Sequence, residues 1–150
     1  MIYLLVLVLI SIDQVSKYII TTNLMVYDSI PLIQNFFHIT YVKNYGAAFS
    51  ILQNKRIFFV SITIAVSIGI ILFMVRYSHD MSIALKVSLG LILAGAIGNL
   101  IDRIRLGYVV DFLDFRVFPI FNVADICVVC GSILLIFYMF FIEPKLKKNL

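Results

Sequence analysis

Long apolar stretches separated by polar connections dominate the pattern of this chain. The stretches cover residues 1–21, 57–75, 81–101 and 120–142. About 20 residues, at a rise of ~1.5 Å each, span a hydrocarbon core of ~30 Å. The second stretch has no charged residue, whereas Asp13 and Lys17 interrupt the first and Asp125 lies near the start of the fourth. The pattern predicts four transmembrane helices and an all-α membrane fold.

The polar connections differ in length and in composition. Segments 24–56 and 103–119 are long, whereas Arg76–Asp80 is a short polar turn. An even number of helices places both long connections on one side of the membrane, with both termini and the short turn on the other. Residues Phe37–Val42 alternate in the manner of a strand and break at Asn44–Gly46, which predicts a small β-structured platform between the first two helices. Basic residues lie on both sides, so the positive-inside rule does not settle the orientation.

Composition supports a membrane protein that forms one domain over residues 1–150. Hydrophobic residues make up 63% of the chain, and the mean hydropathy is +1.09. A soluble domain averages roughly 45–50% apolar residues, and one core of this length cannot bury such an excess. The net charge is +4. The basic residues form no stripe and have no aromatic stacking platform, which argues against nucleic acid as a partner.

Ionisable residues at membrane depth are the strongest functional signal in the chain. Asp13 and Lys17 are four residues apart on the first helix and therefore share a face. The bland interpretation is an ion pair that makes burial tolerable, and the functional one is support for a nearby polar site. The sequence leaves both interpretations open.

A second group of polar residues brackets the connection between the third and fourth helices. Asn99 and Arg103 share one helical face, and Asn122 and Asp125 share another, while Asp111 lies between them and can fold back to the same point. Each residue alone can be explained by its position near the membrane surface. Asn122 can cap a helix, Asp125 is favourable at a helix N-terminus, and Arg103 can extend its charged group toward water. The convergence of so many polar groups at one depth favours a site. Asp111 and Asp125 then suit an acid/base pair that shares a proton.

The remaining titratable residues give weaker signals. We expect Asp102, one step off the Asn99–Arg103 face, to be exposed, and Asp114 to pair with Arg116 or to face water. His38 and His79 fall on opposite sides of the predicted membrane, which argues against metal catalysis and leaves the carboxylate chemistry without a cofactor.

Two alternative functions use other features of the chain. A thiol–disulfide oxidoreductase would use Cys127 and Cys130, although we expect these cysteines to be two small buried apolar residues. A proton-coupled carrier would use the intramembrane carboxylates as a relay. Carriers often show internal repeats, and this sequence has none that we detect.

Taken together, the motifs resemble those of lipoprotein signal peptidase (signal peptidase II), a family of bacterial membrane aspartic proteases. The resemblance covers nearly the whole chain. It is carried, in order, by the blocks Asp13-Gln14-Val15-Ser16-Lys17, Asn44-Tyr45-Gly46-Ala47-Ala48-Phe49, Gly95–Arg103, Val110-Asp111-Phe112 and Phe121–Asp125.

This resemblance implies a multi-pass protein of the bacterial inner membrane, with cytoplasmic termini and a site facing the extracytoplasmic side. The implied substrate is a prolipoprotein whose cysteine carries a diacylglyceryl group, cleaved just before that cysteine. Asp111 and Asp125 are implied as the catalytic dyad, and one chain holds a complete site, which favours a monomer surrounded by membrane lipid. Supporting or substrate-binding roles are implied for Asp13, Lys17, Asn44, Gly46, Ala47, Asn99, Arg103 and Asn122.

Overall fold

Four long helices and one small sheet make up the computed structural model, which describes residues 2–46 and 56–144. A π-helical turn, Tyr138–Ile142, prolongs the last helix. In chain order the elements are α1 (Ile2–Asn23), β1 (Ser29–Ile33), β2 (Phe37–Asn44), α2 (Arg56–Arg76), α3 (Ile83–Arg105), β3 (Val109–Asp114) and α4 (Val123–Phe137).

The four predicted transmembrane helices are confirmed within these residues. Each helix is long and apolar enough to cross a membrane, the last one when it is extended by the π-helical turn to Ile142. The third helix continues past the predicted end at residue 101 as far as Arg105. It stops ahead of Gly107, whose φ of +85° is a conformation that favours glycine. The fourth begins at Val123, later than the predicted residue 120, because Asn122 caps it.

Glycines bring α3 and α4 into close contact. A Cβ atom added to Gly95 would collide with the carbonyl oxygen of Ala124, and one added to Gly131 would lie 2.8 Å from the carbonyl oxygen of Ser88. In a membrane, helices associate through such close packing of small residues, since lipid tails are as apolar as the side chains. The first turn of α4 is therefore held beside the middle of α3.

The predicted platform is an antiparallel sheet with the strand order β1-β2-β3. Two of its strands lie between α1 and α2, as predicted, whereas β3 comes from the connection between α3 and α4. The sequence did not predict β3, because Val109–Asp114 is buried on both faces and lacks the alternation of a half-exposed strand. The sheet lies at one end of the helix bundle, and the turn between α2 and α3 lies at the other.

Candidate active site

Strand β3 sets the position of Asp111. Successive side chains of a strand point to opposite faces. Val110 and Phe112 pack with Tyr41 in an apolar cluster on one face of the sheet. Val109 and Asp111 point the other way and line a cleft between the helices. Asp111 is buried there, with 3% of its surface exposed.

The first turn of α4 sets the position of Asp125. Asn122 is the N-cap residue, and its side-chain oxygen accepts a hydrogen bond from the Asp125 N–H at 2.9 Å. In return, the Asp125 carboxylate accepts a hydrogen bond from the Asn122 N–H at 3.2 Å. This capping box fixes the side chain of Asp125 at the start of the helix. Capping by Asn122, one of the two interpretations open from the sequence, is therefore confirmed.

Three asparagine side chains donate hydrogen bonds around the two carboxylates. Asn122 Nδ2 donates to Asp111 Oδ1 at 2.7 Å and to Asn99 Oδ1 at 3.1 Å. Asn99 Nδ2 donates to Asp125 Oδ1 at 2.8 Å. Asn44 Nδ2 donates to Asp111 Oδ2 at 2.9 Å. The residues of α3, β2, β3 and α4 that the sequence singled out therefore meet at one place.

A buried cation lies directly behind this cluster. The ammonium group of Lys17 is 2.9 Å from Asp13 and 3.0 Å from Asp102, and it donates to Asn99 Oδ1 at 3.0 Å. Only 3% of Lys17 is exposed. A charge this deeply buried requires paired partners. Lys17 thereby connects an ion-pair group behind the site with the amide that holds Asp125.

Asp13 does more than pair with Lys17. Its Oδ1 atom accepts a hydrogen bond from the Ala124 N–H at 2.9 Å, in the first turn of α4. A carboxylate at this position stabilises a helix start. Asp13 and Lys17 therefore neutralise each other, and Asp13 also contacts the segment that contains Asp125.

Asp102 is placed differently from the sequence expectation. It is buried, with 2% of its surface exposed, so the prediction of an exposed side chain is wrong. It pairs with Lys17 and accepts a hydrogen bond from the Val110 N–H at 3.1 Å. In the sequence, the spacing of three residues between Asn99 and Asp102 indicates that both side chains lie on one helical face.

Gln14 is a residue of the site that sequence reasoning missed. Its Nε2 atom donates at 3.1 Å to Asp13, to Asp102 and to the carbonyl oxygen of Gly98. The amide thereby ties α1 to the end of α3. The only signal in the sequence was its position between Asp13 and Lys17.

Arg103 reaches toward the end of β2. Its guanidinium group donates to the carbonyl oxygen of Gly46 at 3.3 Å and lies 5.2 Å from the centre of the Phe59 ring. The Gly46 N–H in turn donates to Asn44 Oδ1 at 2.9 Å, which orients the amide of Asn44 toward Asp111. Ala47, the last of the predicted site residues, lies outside the described part of the chain.

The polar cluster lies at one end of an elongated cleft. The cleft has a volume of about 1020 Å³ and runs between α2, α3 and α4. Asn44, Asn99, Arg103, Asp111 and Asp125 line its polar end. Mainly apolar side chains line the rest, among them Phe59, Ile62, Val66, Ile92, Val128 and Val129. A ligand with both a polar group and apolar chains would fit this arrangement.

The surroundings of Asp111 change its acidity. Burial, followed by the nearby charge of Asp125, raises the pKa of Asp111 to about 7. Hydrogen bonds from Asn44 and Asn122 and the charge of Lys17 act in the opposite direction. A carboxyl group with this pKa exchanges a proton near neutral pH, as general acid/base catalysis requires.

Asp114, a weaker candidate, lies in a separate group on the sheet. It pairs with Arg116 at 3.0 Å and accepts a hydrogen bond from Thr40 at 2.7 Å. Pairing with Arg116 was one of its two predicted roles. Burial alone would raise the pKa of Asp114, but the hydrogen bonds from Thr40 and Arg116 outweigh it and leave the pKa below its ordinary value.

The two cysteines are both free. Cys127 is buried, as expected. Cys130 is exposed on the outside of the bundle, so the prediction of two buried cysteines is wrong for this residue. Because the two cysteines are three residues apart on α4, Cys127 lies at the contact between helices and Cys130 lies at the surface.

Comparison with known proteins gives a consistent assignment. Residues 5–141 match the model of the signal peptidase (SPase) II family. A lipoprotein signal peptidase of Moorella thermoacetica is 54% identical over 132 residues, which cover 88% of this chain and 87% of the relative. One of Clostridioides difficile is 44% identical over 149 residues, covering 97% of this chain and 99% of the relative.

Solved structures agree with the sequence relatives. A bacterial membrane enzyme determined by the in meso method at 2.3 Å resolution superposes with a TM-score of 0.87 at 39% identity, covering 92% of this chain and 86% of the other. A second such enzyme structure, at 1.9 Å resolution, gives a TM-score of 0.85 at 39% identity, covering 94% and 93%. The chain therefore belongs to the signal peptidase (SPase) II family, and it is a multi-pass membrane aspartic protease that cleaves lipoprotein signal peptides.

Proposed function

We propose that the chain is an endopeptidase in which Asp111 and Asp125 form the catalytic dyad and activate a water molecule. The proposed substrate is a prolipoprotein with a diacylglyceryl group on its cysteine, and the cut falls just before that cysteine. One observation carries the proposal. Two carboxylates, both accepting hydrogen bonds from Asn122, lie at the polar end of a cleft that continues between apolar helices.

The dyad mechanism follows from charge. Two neighbouring carboxylates resist full ionisation, so together they hold one proton. The ionised partner takes a proton from water as the water oxygen attacks the scissile carbonyl carbon, and the protonated partner donates toward the carbonyl oxygen. The tetrahedral intermediate then breaks its C–N bond, and the leaving amine receives a proton from the dyad. Both apparent pKa values belong to the pair, so neither role is assigned to one residue.

The neighbouring polar residues have supporting roles in this proposal. Asn44, Asn99 and Asn122 orient the two carboxylates through the hydrogen bonds described above. Arg103 lines the same end of the cleft and is available to the peptide or to charge that develops on its carbonyl oxygen. The carbonyl oxygen of Gly46 accepts a hydrogen bond from Arg103, so the backbone after β2 approaches the site there. A role in substrate binding is proposed for Ala47 as well.

The apolar part of the cleft supports the proposal of a lipidated substrate. Acyl chains that lie between α2, α3 and α4 would hold the substrate at a site remote from the cut bond. This binding energy would place the scissile carbonyl beside the dyad. A precursor without the lipid would lose that positioning.

The proposal includes the location of the enzyme. It acts in the bacterial inner membrane, with the sheet and the dyad on the extracytoplasmic side and the turn between α2 and α3 in the cytoplasm. One chain supplies every side chain named in the mechanism, which supports action as a monomer.

The substrate is tested by presenting the purified protein with two forms of one precursor. One form carries the diacylglyceryl group and the other lacks it. We expect cleavage of the lipidated form alone, with mass spectrometry showing the modified cysteine at the new N-terminus. Equal cleavage of both forms, or a cut elsewhere, would contradict the proposed specificity. If folded protein cleaves neither form, the carboxylates return to the proton-relay interpretation, which proton flux into proteoliposomes tests.

A further inference from the structure

A second cavity lies at the end of the bundle opposite the dyad. Its volume is about 390 Å³, within the range of roughly 300–1,000 Å³ typical of small-molecule sites. The start of α1, the end of α2 and the start of α3 enclose it. Its walls are mainly apolar and include Ile2, Leu5, Met74, Ile83 and Val87.

Within the part of the chain that the structure describes, Lys86 is the one charged residue in the wall of this cavity. The lysine is half-buried in the first turns of α3, inside a membrane-spanning helix. It makes no ion pair with any residue in the ranges 2–46 and 56–144. A partly buried ammonium group without a counter-charge is costly.

Neighbouring elements leave the charge of Lys86 uncompensated. The N-terminal end of a helix carries positive partial charge, so α3 itself disfavours a cation at this position. Asp80, in the turn that precedes α3, is exposed and does not pair with Lys86 in the described structure. Ser78, also in that turn, contributes a hydroxyl group to the cavity wall. The cavity therefore combines an apolar interior with a positive rim that can also donate hydrogen bonds.

We propose that this cavity binds an anionic phospholipid of the leaflet at that end of the bundle. One acyl chain occupies the apolar interior, and the phosphate pairs with Lys86 and accepts a hydrogen bond from Ser78. The apolar walls select a lipid over free phosphate. Lys86, which has no ion-pair partner among the described residues, selects an anionic headgroup over a zwitterionic one. The site is separate from the substrate cleft, which opens between other parts of α2 and α3.

Native mass spectrometry of the detergent-purified protein tests this site with phosphatidylglycerol and phosphatidylcholine of identical acyl chains. We expect one tightly retained phosphatidylglycerol. A basic residue near a membrane surface contributes about 1 kcal/mol toward an anionic lipid, so Lys86→Gln should weaken retention about fivefold. Lys86→Arg should keep most of it. Arg76→Gln removes an exposed charge at the same end of the bundle, outside the cavity, and should change nothing.

A cavity-filling variant and a competition experiment complete the test. Val87→Trp keeps Lys86 but occupies the apolar interior, so it should also reduce retention of phosphatidylglycerol. Equal retention of both lipids by the wild type would overturn the proposal. So would full retention in Lys86→Gln, an equal loss in Arg76→Gln, or displacement of the lipid by millimolar inorganic phosphate. Because cleavage is not the readout, these results are independent of the dyad assignment.

Discussion

Replacement of Lys17 by methionine removes the buried cation behind the dyad while keeping a side chain of similar length. Asp13 and Asp102 then lose a partner at 2.9 and 3.0 Å. Breaking a buried ion pair by removing one partner costs about 3–5 kcal/mol. Both carboxylates keep hydrogen bonds from Gln14 and from backbone N–H groups, so we expect a destabilised but folded protein.

The same replacement should change the pH dependence of cleavage. The charge of Lys17 lowers the pKa of Asp111, although it is a smaller influence than burial and Asp125. Without Lys17 the pKa of Asp111 moves upward from about 7. The dyad then keeps its shared proton to higher pH, and the alkaline limb of the kcat/KM profile shifts to higher pH.

Two measurements on purified Lys17→Met check this reasoning: the Tm in detergent, and kcat/KM as a function of pH. We expect a Tm lowered by roughly 6–20 °C and an alkaline limb displaced to higher pH. The control is Lys17→Met combined with Asp102→Asn, which restores the local net charge and should recover part of the lost Tm. A Tm and a pH profile both equal to those of the wild type would refute the argument.

Three further predictions concern acidity, packing and the cysteines. The pKa of Asp111 is about 7 in the folded protein, above the value of about 3.9 in the unfolded chain. Between these two pH values the folded state binds more protons than the unfolded state. The free energy of unfolding therefore falls as the pH rises through this range, by up to about 4 kcal/mol. Thermal unfolding from pH 4 to 8 should show this fall, and Asp111→Asn should make it shallower; an unchanged slope would contradict the raised pKa. Gly95→Ala should cost about 1–3 kcal/mol in denaturant unfolding through overpacking, whereas Gly69→Ala, where no atom lies within 4 Å of the added Cβ, should not destabilise. A Cys127→Ser, Cys130→Ser variant should retain full cleavage activity in the same assay as the wild type, and its inactivity would revive the thiol alternative.

The helices could be predicted because their signal is one of composition. A continuous apolar run long enough to cross a membrane indicates a helix, whatever it packs against. Strand β3 could not be predicted in this way, since its two buried faces remove the alternation that identifies a strand. The helix boundaries at Gly107 and Asn122 depend on local capping, which the hydropathy pattern does not contain.

The candidate site, like the fold, could be predicted from the sequence only in part. Spacing placed Asn99 with Arg103, and Asn122 with Asp125, and the structure brings these pairs together. The position of Asp102 depends on how α1 and α3 pack, because its partner Lys17 comes from a helix distant in sequence. The same packing decides the role of Gln14, whose three acceptors lie on two helices.

Single-turnover cleavage of the lipidated precursor by the wild type, Asp111→Asn and Asp125→Asn tests the central claim most directly. Each variant keeps a side chain of the same shape and removes one ionisable group. The account predicts that both variants stay folded and inserted, with a cleavage rate lowered by at least about 100-fold. Substantial cleavage by either folded variant would contradict the assignment of the two carboxylates as a catalytic dyad.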